Sequence, residues 1–155
     1  MDLNIIEADL ENPTHTEYIL YLTNAYAMDE MGGGEPLKKE VYDSLIAGLK
    51  RAGNYLGFIA LDGDDPVGIA NCFMGFSTFY AKPLINIHDL GVVPDARGKG
   101  VGGKLIDAVS DKAKALDCCK VTLEVLDNNP ARRLYERSGF RYGDPHYFFM
   151  TKLID

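Results

Sequence analysis

The stretch Ile85-Asn86-Ile87-His88-Asp89-Leu90-Gly91-Val92-Val93-Pro94-Asp95-Ala96-Arg97-Gly98-Lys99-Gly100-Val101-Gly102-Gly103 decides the fold. Leu84 to Val93 reads as a strand closed by Pro94-Asp95. From Gly98 to Leu116 the apolar residues Val101, Leu105, Ala108, Val109, Ala113 and Leu116 recur at helical spacing. At such a strand-to-helix turn the first backbone N–H groups of the helix lack intrahelical partners, and the helix dipole favours an anion there. Glycines let the backbone approach a ligand closely and adopt positive φ. A phosphate or pyrophosphate suits the turn, with Arg97 and Lys99 adding charge. A tight turn with no ligand is the structural reading of the same glycines.

Two better-known patterns coincide with this string, and each fails in its context. Gly98, Gly100 and Gly103 fit a GxGxxG dinucleotide motif, with Asp127 after the next strand. Four residues, Pro94-Asp95-Ala96-Arg97, separate strand from first glycine, and little chain remains after Asp127 to complete such a sheet. Gly98 to Lys104 fits GxxxxGK, but Leu105 stands where a magnesium-binding Ser or Thr is required.

Outward from this unit the order is mixed α/β. Leu3 to Ala8 is a short first strand, and Asn12-Pro13-Thr14 caps a helix through Tyr18, Leu22, Ala25 and Tyr26 that stops near Gly32-Gly33-Gly34. A second helix runs from about Leu37 to Arg51. Tyr55 to Leu61, the turn Asp62-Gly63-Asp64-Asp65-Pro66 and Val67 to Phe76 read as a hairpin. After the central unit come a strand over Lys120 to Leu126, a short helix over Ala131 to Ser138, and closing strands at Phe140 to Tyr142 and Tyr147 to Leu153. No repeat or linker interrupts the chain, so residues 1–155 are expected to form one domain.

The 155 residues are 46% hydrophobic and 25% charged, as in an ordinary globular protein. With 16 Lys and Arg against 23 Asp and Glu the net charge is −7, which disfavours nucleic acid as a partner and suits a cationic small substrate. Cys72, Cys118 and Cys119 lack the spacing of a zinc site or a redox pair, so neither metal nor disulfide is expected. No basic leader and no apolar run of membrane length is present, and the expectation is a cytoplasmic protein that binds no membrane.

Arg97-Gly98-Lys99-Gly100-Val101-Gly102 and the downstream Asn128-Asn129-Pro130-Ala131-Arg132-Arg133-Leu134-Tyr135-Glu136-Arg137-Ser138-Gly139-Phe140 together resemble the GCN5-related N-acetyltransferase (GNAT) superfamily. They match its R-x-x-G-x-G/A loop and its N-x-x-A-x-x-L-Y-E-x-x-G-F segment, in the right order and separation. The resemblance is strong over residues 84 to 140. Phe76-Ser77-Thr78-Phe79 followed by Ile87-His88-Asp89-Leu90 looks like the diamine and polyamine acetyltransferase branch.

The resemblance implies an α+β fold with a mixed sheet of about six to seven strands flanked by four helices, in the order β-α-α-β-β-β-α-β-α-β-β. It implies acetyl-CoA as donor, with CoA as product. The pyrophosphate would lie on Arg97, Gly98, Lys99, Gly100, Val101 and Gly102, with Gly103 close behind. The pantetheine would pair with the backbone of Leu90, Gly91 and Val92 as an added strand does. Asn128, or its neighbour Asn129, would bond the pantetheine; either is also a good helix cap. Tyr135 matches the acid that protonates the departing thiolate, and with an ordinary pKa near 10 a tyrosine holds its proton at neutral pH.

Candidates for the base diverge. In the branch resembled, the strand commonly carries Glu-Asp; here His88 replaces the Glu and Asp89 is retained. A histidine accepts a proton near neutral pH. Glu124, in Leu123-Glu124-Val125, resembles the base of protein N-terminal acetyltransferases. His88 and Asp89 rank jointly ahead of it. Asp29, Glu30 and Glu35 on one loop and the Gly143 to Tyr147 turn would wall the acceptor site. The expected reaction is direct transfer of an acetyl group to a primary amine, preferably a small cationic one. A protein N-terminus, an amino acid, and a non-catalytic acyl-CoA sensor are the alternatives. A homodimer is the family's common habit.

Overall fold

Asn12 stands where a helix must begin: its side chain accepts the N–H groups of Thr14 and His15, and Pro13 takes the first helical position. In this computed structural model, which describes residues 1–155, helix α1 spans Pro13–Met28. It ends earlier than the glycines suggest, because Asp29 turns extended and its carboxylate accepts the Met31 N–H to cap a 3-10 turn at Glu30–Gly32. Helix α2 (Lys39–Ala52) follows and stops at Gly53.

Five strands form one mixed sheet: β1 (Leu3–Glu7), β2 (Tyr55–Asp62), β3 (Asp65–Ser77), β4 (Lys82–Val92) and β5 (Val121–Leu123), side by side in that order. The first four are antiparallel. Helix α3 (Val101–Ala115) carries the chain from β4 to β5, which therefore pairs parallel. Helix α4 (Arg132–Arg137) comes last.

Central strands are buried on both faces, which is why Tyr55 to Leu61 reads as an almost unbroken apolar run. Ile59 and Ile69 point to one face and pack with Ile19, Leu22 and Leu49 of α1 and α2. Phe58, Ala60, Ala70 and Cys72 point to the other, against Val101, Leu105, Val109 and Ala113 of α3. No helix is long and apolar enough to cross a membrane.

The sheet has five strands, not the six to seven expected. A strand exists only where a neighbour accepts its ladder, and none does so after β5. The last backbone hydrogen bond of the chain is Phe140 N–H to the Tyr135 carbonyl. Phe140 to Tyr142 and Tyr147 to Leu153 are irregular, and β5 itself is three residues long where alternation predicts seven.

Candidate functional site

The site is organised by a fault in β4. Asn71 of β3 stands opposite Asp89, while the next residue, Cys72, stands opposite Ile87. His88 is therefore an extra residue in β4, a β-bulge. In a regular strand neighbouring side chains point to opposite faces. Here the bulge turns both His88 and Asp89 into one cavity of about 330 Å³ on the α1–α2 face. The alternation on either side shows the shift: Ile85 and Ile87 face α3, and so do Leu90 and Val92, one residue out of step.

Asp89 is held by a hydrogen-bonded chain. The Asn71 amide donates to Asp89 Oδ2 at 3.0 Å and to Thr23 Oγ1 at 2.9 Å. The Tyr55 hydroxyl donates to Asn71 Oδ1 at 2.6 Å. Asn71 is only 5% exposed, and this pairing satisfies a buried amide that would otherwise cost about 1–3 kcal/mol. His88 packs edge-on to Phe73, with ring centroids 5.8 Å apart. Leu37, Leu45, Leu49 and Phe73 form the apolar wall of the same cavity.

Tyr26 of α1 divides this cavity from a second, of about 400 Å³, that reaches Asp29, Gly91 and Arg97. A side chain at position 91 would place its Cβ 3.0 Å from the Tyr26 ring, so glycine there lets the tyrosine lie on the strand. Burial pushes the Tyr26 pKa up, and the Asp89 and Asp29 carboxylates add to the rise. Tyr135 is nine-tenths buried. Burial, and secondarily Tyr26, raises its pKa to about 12. Tyr26 thus lies within electrostatic reach of both Asp89 and Tyr135.

Beyond Ile87 no strand borders β4 on the side of β5, because the β4–β5 ladder runs only from Ile85–Val121 to Ile87–Leu123. Backbone groups along Leu90, Gly91 and Val92 on that side are open to an extended ligand. At the end of β4, Gly98 and Gly100 adopt φ of +74° and +84°, and α3 begins with no side-chain cap. The N–H groups of Val101, Gly102 and Gly103 are left for an anion. Gly102 has a second duty: a Cβ there would lie 2.8 Å from Leu134, so its absence lets α4, the helix that bears Tyr135, seat against α3.

Arg97 and Lys99 part company. The Arg97 guanidinium donates to the Val92 carbonyl at 3.0 Å and pairs with Asp29 at 2.6 Å, bracing the end of β4 against α1. The Met31 N–H, then Arg97, lowers the Asp29 pKa. Lys99 is exposed and unpaired. The two asparagines divide as well. Asn129 accepts the Ala131 N–H at 2.9 Å as a turn cap, while the Asn128 side chain is exposed. Glu124 does not join His88 and Asp89; it is exposed on the chain past β5, with Asn86 donating to it at 3.3 Å.

Sequence reasoning missed Tyr26, Tyr55, Asn71 and Thr23 as members of the site. Only Asn71 carried a signal, as a lone amide inside the apolar run Ile69 to Phe73.

Two outcomes follow. Gly100→Val forces a branched side chain into a left-handed conformation, and a loop that relaxes out of it turns its amides away. The Kd for acetyl-CoA is expected to rise about tenfold or more by calorimetry; an unchanged Kd would show that the loop is not the anion cradle. The second concerns pH. Tyr135 and Cys72 are both raised to about 12, from 10.0 and 9.0, and burial leads in each. Tyr55 and Tyr26 also move upward. With folded values above unfolded ones, their contribution is fully present below the unfolded pKa and is lost as pH rises through the folded one. Denaturation midpoints are expected to fall steadily from pH 9 to 11, and a rise across that window would contradict the burial of these groups.

The family model for the acetyltransferase (GNAT) family matches residues 19–140. The chain is 32% identical over 124 residues to YhfO of Bacillus subtilis (strain 168), an uncharacterized N-acetyltransferase, covering 76% of each protein. It is 35% identical over 74 residues to the thialysine N-epsilon-acetyltransferase of Bos taurus, covering 47% of this chain and 43% of that one. Among solved structures, a probable acetyltransferase superposes with a TM-score of 0.83 at 22% identity, over 98% of this chain and 99% of that one.

Proposed function

The chain belongs to the acetyltransferase (GNAT) family, and on that premise we propose that it transfers the acetyl group of acetyl-CoA directly to a primary amine held in the Asp89 cavity. The observation that carries the reading is the bulge at His88, which aims a histidine and a carboxylate into one cavity beside an open strand edge. Val101 to Gly103 and Lys99 would hold the pyrophosphate, the backbone of Leu90 to Val92 the pantetheine, and Asn128 its polar groups. When bound, acetyl-CoA supplies an activated thioester.

The attacking amine must be neutral. Asp89, oriented by Asn71, and His88 beside it draw the ammonium into the cavity and take its proton. Peptide N–H groups along Leu90 to Val92 stabilise charge on the carbonyl oxygen. Tyr135 donates its proton to the sulfur as the C–S bond breaks; a pKa near 12 keeps that proton available throughout the working range. Tyr26 lines both cavities and stands between them. Cys72, its thiol pushed up to about 12 by burial and by Asp89, is no nucleophile. That supports transfer without a covalent enzyme intermediate.

The cavity also constrains the acceptor. One end is carboxylate and amide, and the wall is Leu37, Leu45, Leu49 and Phe73. It favours a small amine with one cationic head on an apolar body over a polyamine or an aminoglycoside. The test is acetyl-CoA-dependent thiol release with alkyl and aryl primary amines beside spermidine and an aminoglycoside. Higher kcat/KM for the apolar amines, with acetylated product by mass, is the expected result. Preference for the polycations would overturn the acceptor assignment, and binding of acetyl-CoA with no turnover would leave a sensor.

A further inference from the structure

Tyr26 moves no proton in the transfer proposed above, yet its side chain lines both cavities. It lies flat on Gly91, where an added Cβ would meet three of its atoms at 3.0, 3.1 and 3.3 Å. Gly91 is the middle residue of the Leu90 to Val92 edge proposed to hold the pantetheine. The turn that follows α1 fixes the backbone that bears Tyr26. Asn24 Oδ1 accepts the Leu37 N–H at 2.8 Å, and the Ala27 carbonyl accepts the Glu35 N–H at 3.2 Å. Gly32 packs directly on the Tyr26 carbonyl, and a Cβ there would collide with its oxygen.

In the proposed transfer the acyl carbon passes from sulfur to nitrogen. The C–S bond breaks and the thiolate takes the Tyr135 proton; the C–N bond forms and the surplus proton of the amine goes to His88 and Asp89. The acyl carbon therefore moves between Tyr135 and Asp89, and Tyr26 lies within electrostatic reach of both. Whatever hangs from that carbon has to fit against the Tyr26 ring. On the other side of the ring is the cavity of about 400 Å³, which the transfer leaves unused. Leu22, Ala25, Val92 and Val93 give it an apolar lining. Its charged members are Asp29 and Arg97, which neutralise each other at 2.6 Å, and the exposed Glu30. A hydrocarbon chain suits that lining.

Resting on the donor reading above, we propose that Tyr26 sets the length of the acyl group this protein transfers: it admits an acetyl group and stops longer chains at its ring, short of the apolar cavity behind it. The ring cannot retreat toward β4, because Gly91 already lies against it. Forcing extra methylenes onto a packed aromatic strains rotamers and backbone, and one methylene too many in such a pocket costs about 10-fold or more. Removing the ring reverses the sign. The two cavities then join, and each methylene that enters the apolar lining strengthens binding about fourfold. The selection is by volume, so it belongs to the ring and not to the hydroxyl.

Calorimetry with acetyl-, butyryl- and hexanoyl-CoA in the absence of amine reads donor binding apart from turnover, and thiol release with one amine then gives kcat/KM for each donor. In the wild type Kd should not tighten with chain length, and kcat/KM should fall about tenfold or more from acetyl to butyryl. In Tyr26→Ala Kd should tighten about fourfold per methylene, and the order of kcat/KM should reverse. Tyr26→Phe should keep the wild-type order of donors. Tyr26→Leu, which leaves an apolar side chain on Gly91, should move the cut-off from acetyl to butyryl. Acetyl-CoA binding with one chain-length profile shared by the wild type, Tyr26→Leu and Tyr26→Ala overturns the proposal and leaves acetyl transfer standing. So does a wild type that takes hexanoyl as readily as acetyl, or a Tyr26→Phe profile like that of Tyr26→Ala. Failure of every acyl-CoA to bind overturns the donor reading and this assignment with it.

Discussion

Tyr135→Phe is expected to lower kcat for acetyl transfer by about 10²–10⁴ while acetyl-CoA binding stays within about threefold. The substitution removes one oxygen and keeps the ring, so the edge-on contact with Phe140, at 6.0 Å between centroids, and the seat of α4 on α3 are unchanged. On the proposed mechanism what is lost is the proton that reaches sulfur as the thioester breaks, and at a side chain this buried water is a poor substitute. The effect should shrink with a thioester whose leaving thiol is more acidic, because less proton transfer is then needed. Equal losses in kcat and in acetyl-CoA affinity would assign Tyr135 to packing.

Asp89→Asn carries the second large effect. Asparagine is nearly isosteric and still accepts the Asn71 amide, so the network through Thr23 and Tyr55 survives. The proposed base and the charge proposed to draw the ammonium both disappear. A loss of about 10²-fold in kcat/KM at pH 7 is expected, narrowing as pH rises and solvent supplies more neutral amine. His88→Gln tests the pair. If the two act as one unit, the double variant is no slower than the slower single variant. Multiplied losses would mean independent duties, and a pH-independent deficit for Asp89→Asn would exclude proton transfer as its role.

Local chemistry made much of the molecule legible in the sequence. Asn12-Pro13 announces α1, Gly53 ends α2, and the glycines after Arg97 open α3, because caps and turns depend on a few adjacent residues. The bulge left a trace that reading the segment as a plain strand passed over. In Ile85-Asn86-Ile87-His88-Asp89-Leu90-Gly91-Val92 two polar residues in succession interrupt strict alternation, and a strand tolerates that only by inserting a residue. Tyr26, Tyr55 and Thr23 were not legible. Each sits in an apolar pattern that any core would accept, and its place at the site depends on contacts across tens of residues, such as Asn71 with Thr23. The bracing of Arg97 by Asp29 is hidden for the same reason. The closing strands failed differently: their alternation is that of a strand, but no backbone ladder forms after β5.

The central claim is that thioester, Tyr135 and the His88–Asp89 cavity meet around β4. Electron density from crystals grown with acetyl-CoA and an unreactive analogue of the best amine tests it most directly. The account predicts pyrophosphate on the amides of Val101 to Gly103, sulfur within hydrogen-bonding distance of the Tyr135 hydroxyl, and the analogue's head at Asp89. An acetyl group directed away from that cavity, or a sulfur beyond the reach of Tyr135, would contradict it.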